Sequence, residues 1–168
     1  MRSKNYYETD KYVFFYGSCF SQWAMGGMEI DGNLFNCCEQ YMMCKKAELF
    51  KDKESFNKIW SASDPAKQKA LGRKVQNFDK DKWEAIARDV VYKANYAKFT
   101  QNENWKQQLL ATGDKIIVEA SPTDCIWGIG MSCDDPGIED PANWRGTNWL
   151  GEAIMKVREQ LTKEFVNG

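Results

Sequence analysis

Glu39 and Lys46 place a carboxylate and an ammonium on what otherwise reads as the apolar side of a helix. Within and just beyond the stretch Cys38 to Ala47, the residues Glu39, Met42, Met43, Lys46 and Phe50 fall at i, i+3, i+4, i+7 and i+11. That is one face of a 3.6-residue repeat, and Phe35 extends the stripe by another turn. Charged groups are rarely buried unless they are paired or used. The two charges stand about 10 Å apart along the axis, a spacing that admits a ligand between them. The same pattern also arises if the helix rolls so that one charge reaches solvent, and this stretch alone leaves both readings open. A lysine held on an apolar face has its charged form disfavoured by desolvation, so part of it is a neutral amine. Such an amine is a nucleophile.

The chain contains no histidine. That removes most zinc sites, every Ser-His or Cys-His nucleophile pair, and histidine acid–base catalysis. An enzyme built from this sequence works with carboxylates, lysine, tyrosine or a cysteine lacking a histidine partner. No metal and no cofactor are expected. The six cysteines contain no Cys-x-x-Cys spacing. There is no apolar N-terminal run behind positive charge and no stretch of transmembrane length. The expectation is an intracellular, cytoplasmic protein without membrane contact, its cysteines kept as thiols. At 168 residues, 43% apolar and 14% aromatic, the chain suffices for one domain with a real core. A net charge of -1 argues against coating nucleic acid by bulk charge, while a local basic groove remains allowed.

The elements that must position these groups follow from periodicity and punctuation. Residues 1–10 are polar and expected to fray. Lys11 to Tyr16 reads as a strand, ended by Gly17. Met28-Glu29-Ile30 and Asn33-Leu34-Phe35 flank Asp31-Gly32, a hairpin signal, and the Glu39–Lys46 helix follows directly. Glu54 to Trp60 is a short helix. Asp64-Pro65 caps and opens another that runs to about Gln76. Asp79 caps a helix to about Phe99 whose core face is Trp83, Ile86, Ala87, Val90, Val91 and Ala94. Asn102 opens one with Trp105 and Leu109 inward, stopped at Gly113. Lys115 to Ala120 is a buried strand ending in Glu119. Ser121 to Asn148 is long and irregular, and such loops are usually functional or disordered; Trp127 and Trp144 within it and Trp149 beside it speak for order. The last helix covers 148–165. The reading is a mainly α chain with a few short β-strands (α+β), one compact domain over 11–165.

Three further groups carry candidate chemistry. Asp124 to Gly130 follows the Glu119 strand, and its Trp127, Gly128 and Gly130 suit either close approach to a ligand or a turn over the core. Gly146-Thr147-Asn148 opens the last helix, where unsatisfied N–H groups suit a phosphate; plain N-capping explains the same residues. Arg73 and Lys98 lie near helix ends, as phosphate partners or as cations complementing the helix dipole. Lys45 points about 100° away from Lys46 and reads as solvent-facing.

In order, Phe14-Phe15, Phe20-Ser21, Glu39-Gln40-Tyr41, Lys46-Ala47, Leu71-Gly72-Arg73, Ala97-Lys98-Phe99, Leu110, Val118-Glu119 and Asp124 make up the first part of a wider pattern. Trp127-Gly128-Ile129-Gly130, Gly146-Thr147-Asn148, Leu150-Gly151, Met155 and Arg158 complete it. The ordered set resembles the NADAR family, also called YbiA-like, from Tyr12 to Leu161. The resemblance implies a mainly helical YbiA-like fold and an N-glycosidase acting on phosphate-bearing ribosides. Some members are linked to cleaving early riboflavin-biosynthesis intermediates. Others remove ADP-ribose from guanine in nucleic acid. It further implies that Lys46 is the nucleophile, through a Schiff base, with Glu119 a partner in proton transfer. Glu39 joins these as a catalytic candidate. Phe20, Ser21, Arg73, Lys98, Asp124, Trp127, Gly128, Gly130, Gly146 and Asn148 are candidate substrate contacts.

Three departures from the family pattern bear on substrate. Phe20-Ser21-Gln22 stands where Phe-Ser-Asn is usual, Cys38 replaces the serine before the glutamate, and Asp134 to Asn143 extend a loop. The preferred substrate is ADP-ribosylated guanine in DNA or RNA. A riboflavin intermediate, an ADP-ribose-binding module without turnover, and a structural partner protein are the competing readings.

Overall fold

The computed structural model describes residues Arg2–Gly168, and among them are six α-helices and five short strands. The chain divides into two compact units. One combines the N-terminal segment up to Ser21 with Asn102–Gly168, and the other is Gln22–Gln101.

The first unit is built on a three-stranded sheet. Strand β2 (Tyr12–Phe15) lies between β1 (Tyr6–Glu8), antiparallel to it, and β5 (Ile116–Glu119), parallel to it, with Phe15 opposite Glu119. All four residues of β2 are buried, as expected for a central strand covered on both faces. On one face Tyr12, Phe14, Val118 and Ala120 form a core with Ile129, Met131, Cys133 and Ile138. The irregular 121–148 segment is therefore the cover of this core. Trp144 meets Tyr12 and Phe14 edge-on at 5.9 and 6.3 Å, and its indole N–H donates to the Ile138 carbonyl at 2.7 Å. Helix α6 (Trp149–Asn167) packs against β5 through a stripe that includes Leu150, Ile154, Val157 and Leu161, and α5 (Glu103–Ala111) contacts α6.

The expectation of a frayed 1–10 gives way at Tyr6–Glu8. Tyr7 stacks on Phe14 at 5.9 Å. Glu8 accepts from Lys115 Nζ and from the Tyr6 hydroxyl, both at 2.7 Å, tying the edge strand to the segment before β5.

The second unit is helical, with one hairpin. Strands β3 (Met28–Ile30) and β4 (Asn33–Phe35) turn at Asp31 and Gly32, whose φ values of 53° and 81° are those an Asp-Gly hairpin turn requires. Helix α1 (Cys38–Leu49) packs against α2 (Lys53–Ser61), α3 (Pro65–Gly72) and α4 (Lys80–Gln101). Cys38 through Cys44 are all buried, so the first two turns of α1 are enclosed on every side and the single-stripe reading is too narrow. Two interior glutamines are paired. Gln40 Nε2 donates to the Trp60 carbonyl at 3.0 Å, and Gln68 Nε2 to the Ala62 carbonyl at 2.7 Å. Asp52 and Asp64 cap α2 and α3 as acceptors. Helix α3 stops at Gly72, earlier than the expected Gln76, and a Cβ there would run into the Met43 side chain of α1. Among the described residues no helix is long and apolar enough to cross a membrane.

Candidate active site

In the second unit, α1 carries Lys46 half-buried, with its Nζ 4.5 Å from the centroid of the Phe78 ring. Burial lowers the pKa of the Lys46 ammonium. Glu39 works in the opposite direction, and Arg73 adds to the lowering. Glu39 is 6% exposed, and its N–H donates to the Gln22 carbonyl at 3.0 Å. Gln22 is held in turn by Asn95, whose Nδ2 donates to its Oε1 at 2.8 Å. The glutamine that departs from the family pattern thus anchors the start of α1. Lys45, one residue before Lys46, pairs with Glu48 at 2.7 Å on the outer surface, and this bond raises its pKa. The two adjacent lysines therefore have opposite environments, as helix phase requires.

Arg73 is the C-cap residue of α3 and acts electrostatically on Lys46. Lys98 is 0% exposed, with Nζ 4.8 Å from the Phe99 ring centroid, and it opposes the burial-driven rise of the Cys38 thiol. It lies in the last turn of α4, at the helix end where the sequence placed it, and it is an interior cation there. Phe78 escaped the sequence reading. Its only signal was an aromatic standing outside both helical repeats, directly before the Asp79 cap.

In the first unit, Glu119 ends β5 and its Oε2 is buried. Its N–H donates to Asn148 Oδ1 at 3.0 Å, while Asn148 Nδ2 donates to the Ile117 carbonyl at 3.0 Å. Its own carbonyl accepts from Ile129 N–H at 3.1 Å. Asp124 Oδ1 accepts from Ile126 and Trp127 N–H at 2.9 and 2.8 Å, so this carboxylate shapes the turn that presents Trp127. Trp127 meets Trp149 edge-on at 5.6 Å. Phe20 is buried against Phe15 at 5.5 Å, and Ser21 N–H donates to the Ser18 carbonyl at 3.2 Å.

The phosphate expected at Gly146–Asn148 meets a structural objection. The N–H groups of Thr147, Asn148, Trp149 and Leu150 donate to the carbonyls of Cys125, Gly128, Ile126 and Trp127 at 3.0, 3.2, 3.1 and 3.1 Å. Four of the donors that would receive an anion are thereby used. An added Cβ at Gly146 would meet the Cys125 carbonyl at 2.6 Å, and one at Gly128 the Glu119 carbonyl at 2.9 Å. At Gly130, with φ 69°, it would meet Cys125 Sγ at 2.9 Å. These glycines let the chain approach itself; for Gly128 and Gly130 that is the turn over the core, one of the two alternatives the sequence left open. Asn148 is likewise turned into β5, and no side-chain cap bond is made at the start of α6.

The NADAR domain matches residues 6–162. The chain is 44% identical to N-glycosidase R617 of Acanthamoeba polyphaga mimivirus over 167 residues, covering 91% of this chain and 98% of that protein. It is 32% identical to N-glycosidase Npun_R5314 of Nostoc punctiforme, covering 85% of each. The NMR structure of the E. coli protein YbiA superposes with a TM-score of 0.79 at 28% identity, covering 98% of this chain and 92% of that one. The chain belongs to the NADAR family and is, like the relatives named here, a glycosyl hydrolase of the N-glycosidase kind.

Proposed function

We propose that the enzyme hydrolyses the N-ribosyl bond of a phosphorylated riboside with Lys46 as nucleophile, and that its substrate is ADP-ribosylated guanine in nucleic acid. The observation that carries the chemistry is the half-buried Lys46 amine, whose charged form burial disfavours, on one helix with the buried Glu39 and with its Nζ over the Phe78 ring. A neutral amine attacks C1′, forming a C–N bond as the bond from C1′ to the base breaks. The base leaves with a proton from Glu119, the role that the family resemblance gives to this residue. Glu39 takes the proton that the attacking nitrogen sheds. The ring oxygen then leaves C1′ and takes the proton held by Glu39, giving a protonated imine. Water adds to the imine carbon, releasing the sugar and restoring the amine. Arg73 is the candidate phosphate contact, since four N–H groups at the start of α6 are already bonded to the turn at 125–128.

The test is mass analysis of an oligonucleotide carrying ADP-ribosylated guanine, incubated with purified protein. Release of ADP-ribose and return of the unmodified oligonucleotide is expected. Tight binding without release would make the protein a binding module. Cleavage confined to an early riboflavin intermediate assayed in parallel would reassign the substrate and leave the chemistry in place.

A further inference from the structure

Phe78 is 47% exposed although it is large and apolar. It lies in the connection between α3 and α4, which is fixed on both sides of the ring. Gln76 N–H donates to Asp52 Oδ2 at 3.0 Å, and Asp79 Oδ1 accepts from Lys82 N–H at 3.0 Å. Asn77, between them, adopts a left-handed φ of 59°, which asparagine tolerates well. The ring meets Phe50 at 5.5 Å with planes at 67°, and Phe50 is the C-cap of the helix that bears Lys46. Lys46 Nζ stands over the ring, 4.5 Å from its centroid. An ammonium over an aromatic face is held by the ring quadrupole, whereas a neutral amine is attracted far less.

We propose that Phe78 is a positioning residue for Lys46: its face holds the ε-amine in one place and retains its proton until the reaction calls for the free base. The inference rests on the reading of Lys46 as nucleophile. Imine formation needs an amine that is both aimed and able to lose its proton. The charged groups acting on Lys46 are Glu39 on its own helix and Arg73 at the end of α3. Of the other helices packed on α1, α2 pairs its Lys58 with Glu54 at the surface, and α4 presents Lys98 toward Cys38. Phe78 steadies the ammonium without adding a formal negative charge, which would repel an anionic substrate.

The test separates cover from π face. Phe78→Leu keeps an apolar side chain and removes the ring, while Phe78→Tyr keeps the ring. Competitive acetylation with acetic anhydride across pH, read by peptide mass at Lys46, reports how readily the amine loses its proton and needs no substrate. The Phe78→Leu midpoint should fall by about half a pH unit, with Phe78→Tyr at the wild-type value and Lys45 unmoved in both. Borohydride trapping of the sugar adduct during turnover should be several-fold slower in Phe78→Leu at equal amine fraction and near wild-type in Phe78→Tyr. An unmoved Phe78→Leu midpoint, or equal movement in both variants, overturns the proposal. Phe78→Met serves the same purpose if circular dichroism shows the leucine variant unfolded. Should Lys46→Arg still turn over, the nucleophile reading falls, while the acetylation result stands on its own.

Discussion

A lysine amine attacks carbon only for the fraction of time it is without its proton, so the environment of the amine decides which lysine reacts. Lys45 and Lys46 are neighbours in sequence and opposites in environment: one pairs with Glu48 at the surface and is raised, the other is half-buried and lowered. Lys46→Arg should abolish both turnover and borohydride trapping, because a guanidinium stays protonated and makes no imine. Lys45→Arg should spare both. An adduct that peptide mapping places on Lys45, or near-normal turnover by Lys46→Arg, would reject the assignment. Asn148 is a second residue whose role follows from its bonds. Both ends of its amide are spent on β5, at Ile117 and Glu119, and it sits at a left-handed φ of 53° that asparagine tolerates and alanine does not. Asn148→Ala leaves the Ile117 carbonyl and the Glu119 N–H without this partner. Urea unfolding should show a loss of about 2–4 kcal/mol, and turnover should fall with it. A loss under about 0.5 kcal/mol would mean that water replaces the amide.

Element by element, what was readable in the sequence is what local chemistry dictates. β2 and β5 announce themselves as apolar, β-branched and aromatic runs, the hairpin by Asp31-Gly32, and the starts of α3 and α4 by Asp64-Pro65 and Asp79. What was not readable depends on a partner. β1 exists because Tyr7 and Glu8 find Phe14 and Lys115. Helix α3 ends at Gly72, where the Met43 side chain of α1 leaves no room for a Cβ. The burial of Ile129, Met131, Cys133 and Ile138 has no period to betray it, since these residues cover a sheet from an irregular segment. In the candidate site, Glu39 and Lys46 were legible as charges on an apolar stripe. Phe78 was not, because only the folded chain brings it to Lys46. Gly151 illustrates the same limit. It stands in a recognisable Leu-Gly pair, and its reason is visible only in the docking of α6 on β5. A Cβ there would collide with the Ile117 carbonyl and with the Asn148 amide. Because one obstacle is backbone, no rotamer change relieves it. Gly151→Ala should therefore destabilise by about 1–3 kcal/mol in spite of alanine's better helix propensity. A thermal midpoint at or above wild type would show that α6 can shift on the sheet without cost.

At the scale of the whole chain, the cysteines offer a readout of how well the interior is closed. All six are thiols, and only Cys125 is exposed. Burial pushes the Cys37 and Cys44 thiols up to about 12 and the Cys133 thiol to about 11, and it raises Cys38 as well. Cys19 is buried too, its Sγ donating to Gln108 Oε1 at 3.4 Å. The thiolate is the species that reacts with an aromatic disulfide reagent, so burial protects twice, by excluding the reagent and by withholding the anion. Both units contribute, with Cys37, Cys38 and Cys44 in one and Cys19, Cys125 and Cys133 in the other. Titration of the native protein near neutral pH should therefore release one fast equivalent, assigned to Cys125 by its loss in Cys125→Ser, and six in denaturant. Each slower equivalent then reports an opening of the unit that holds it, and peptide mapping says which. Two or more fast equivalents would mean that one interior is open on the timescale of the assay. Fewer than six in denaturant would mean that oxidised cysteines are present and would contradict the thiol assignment.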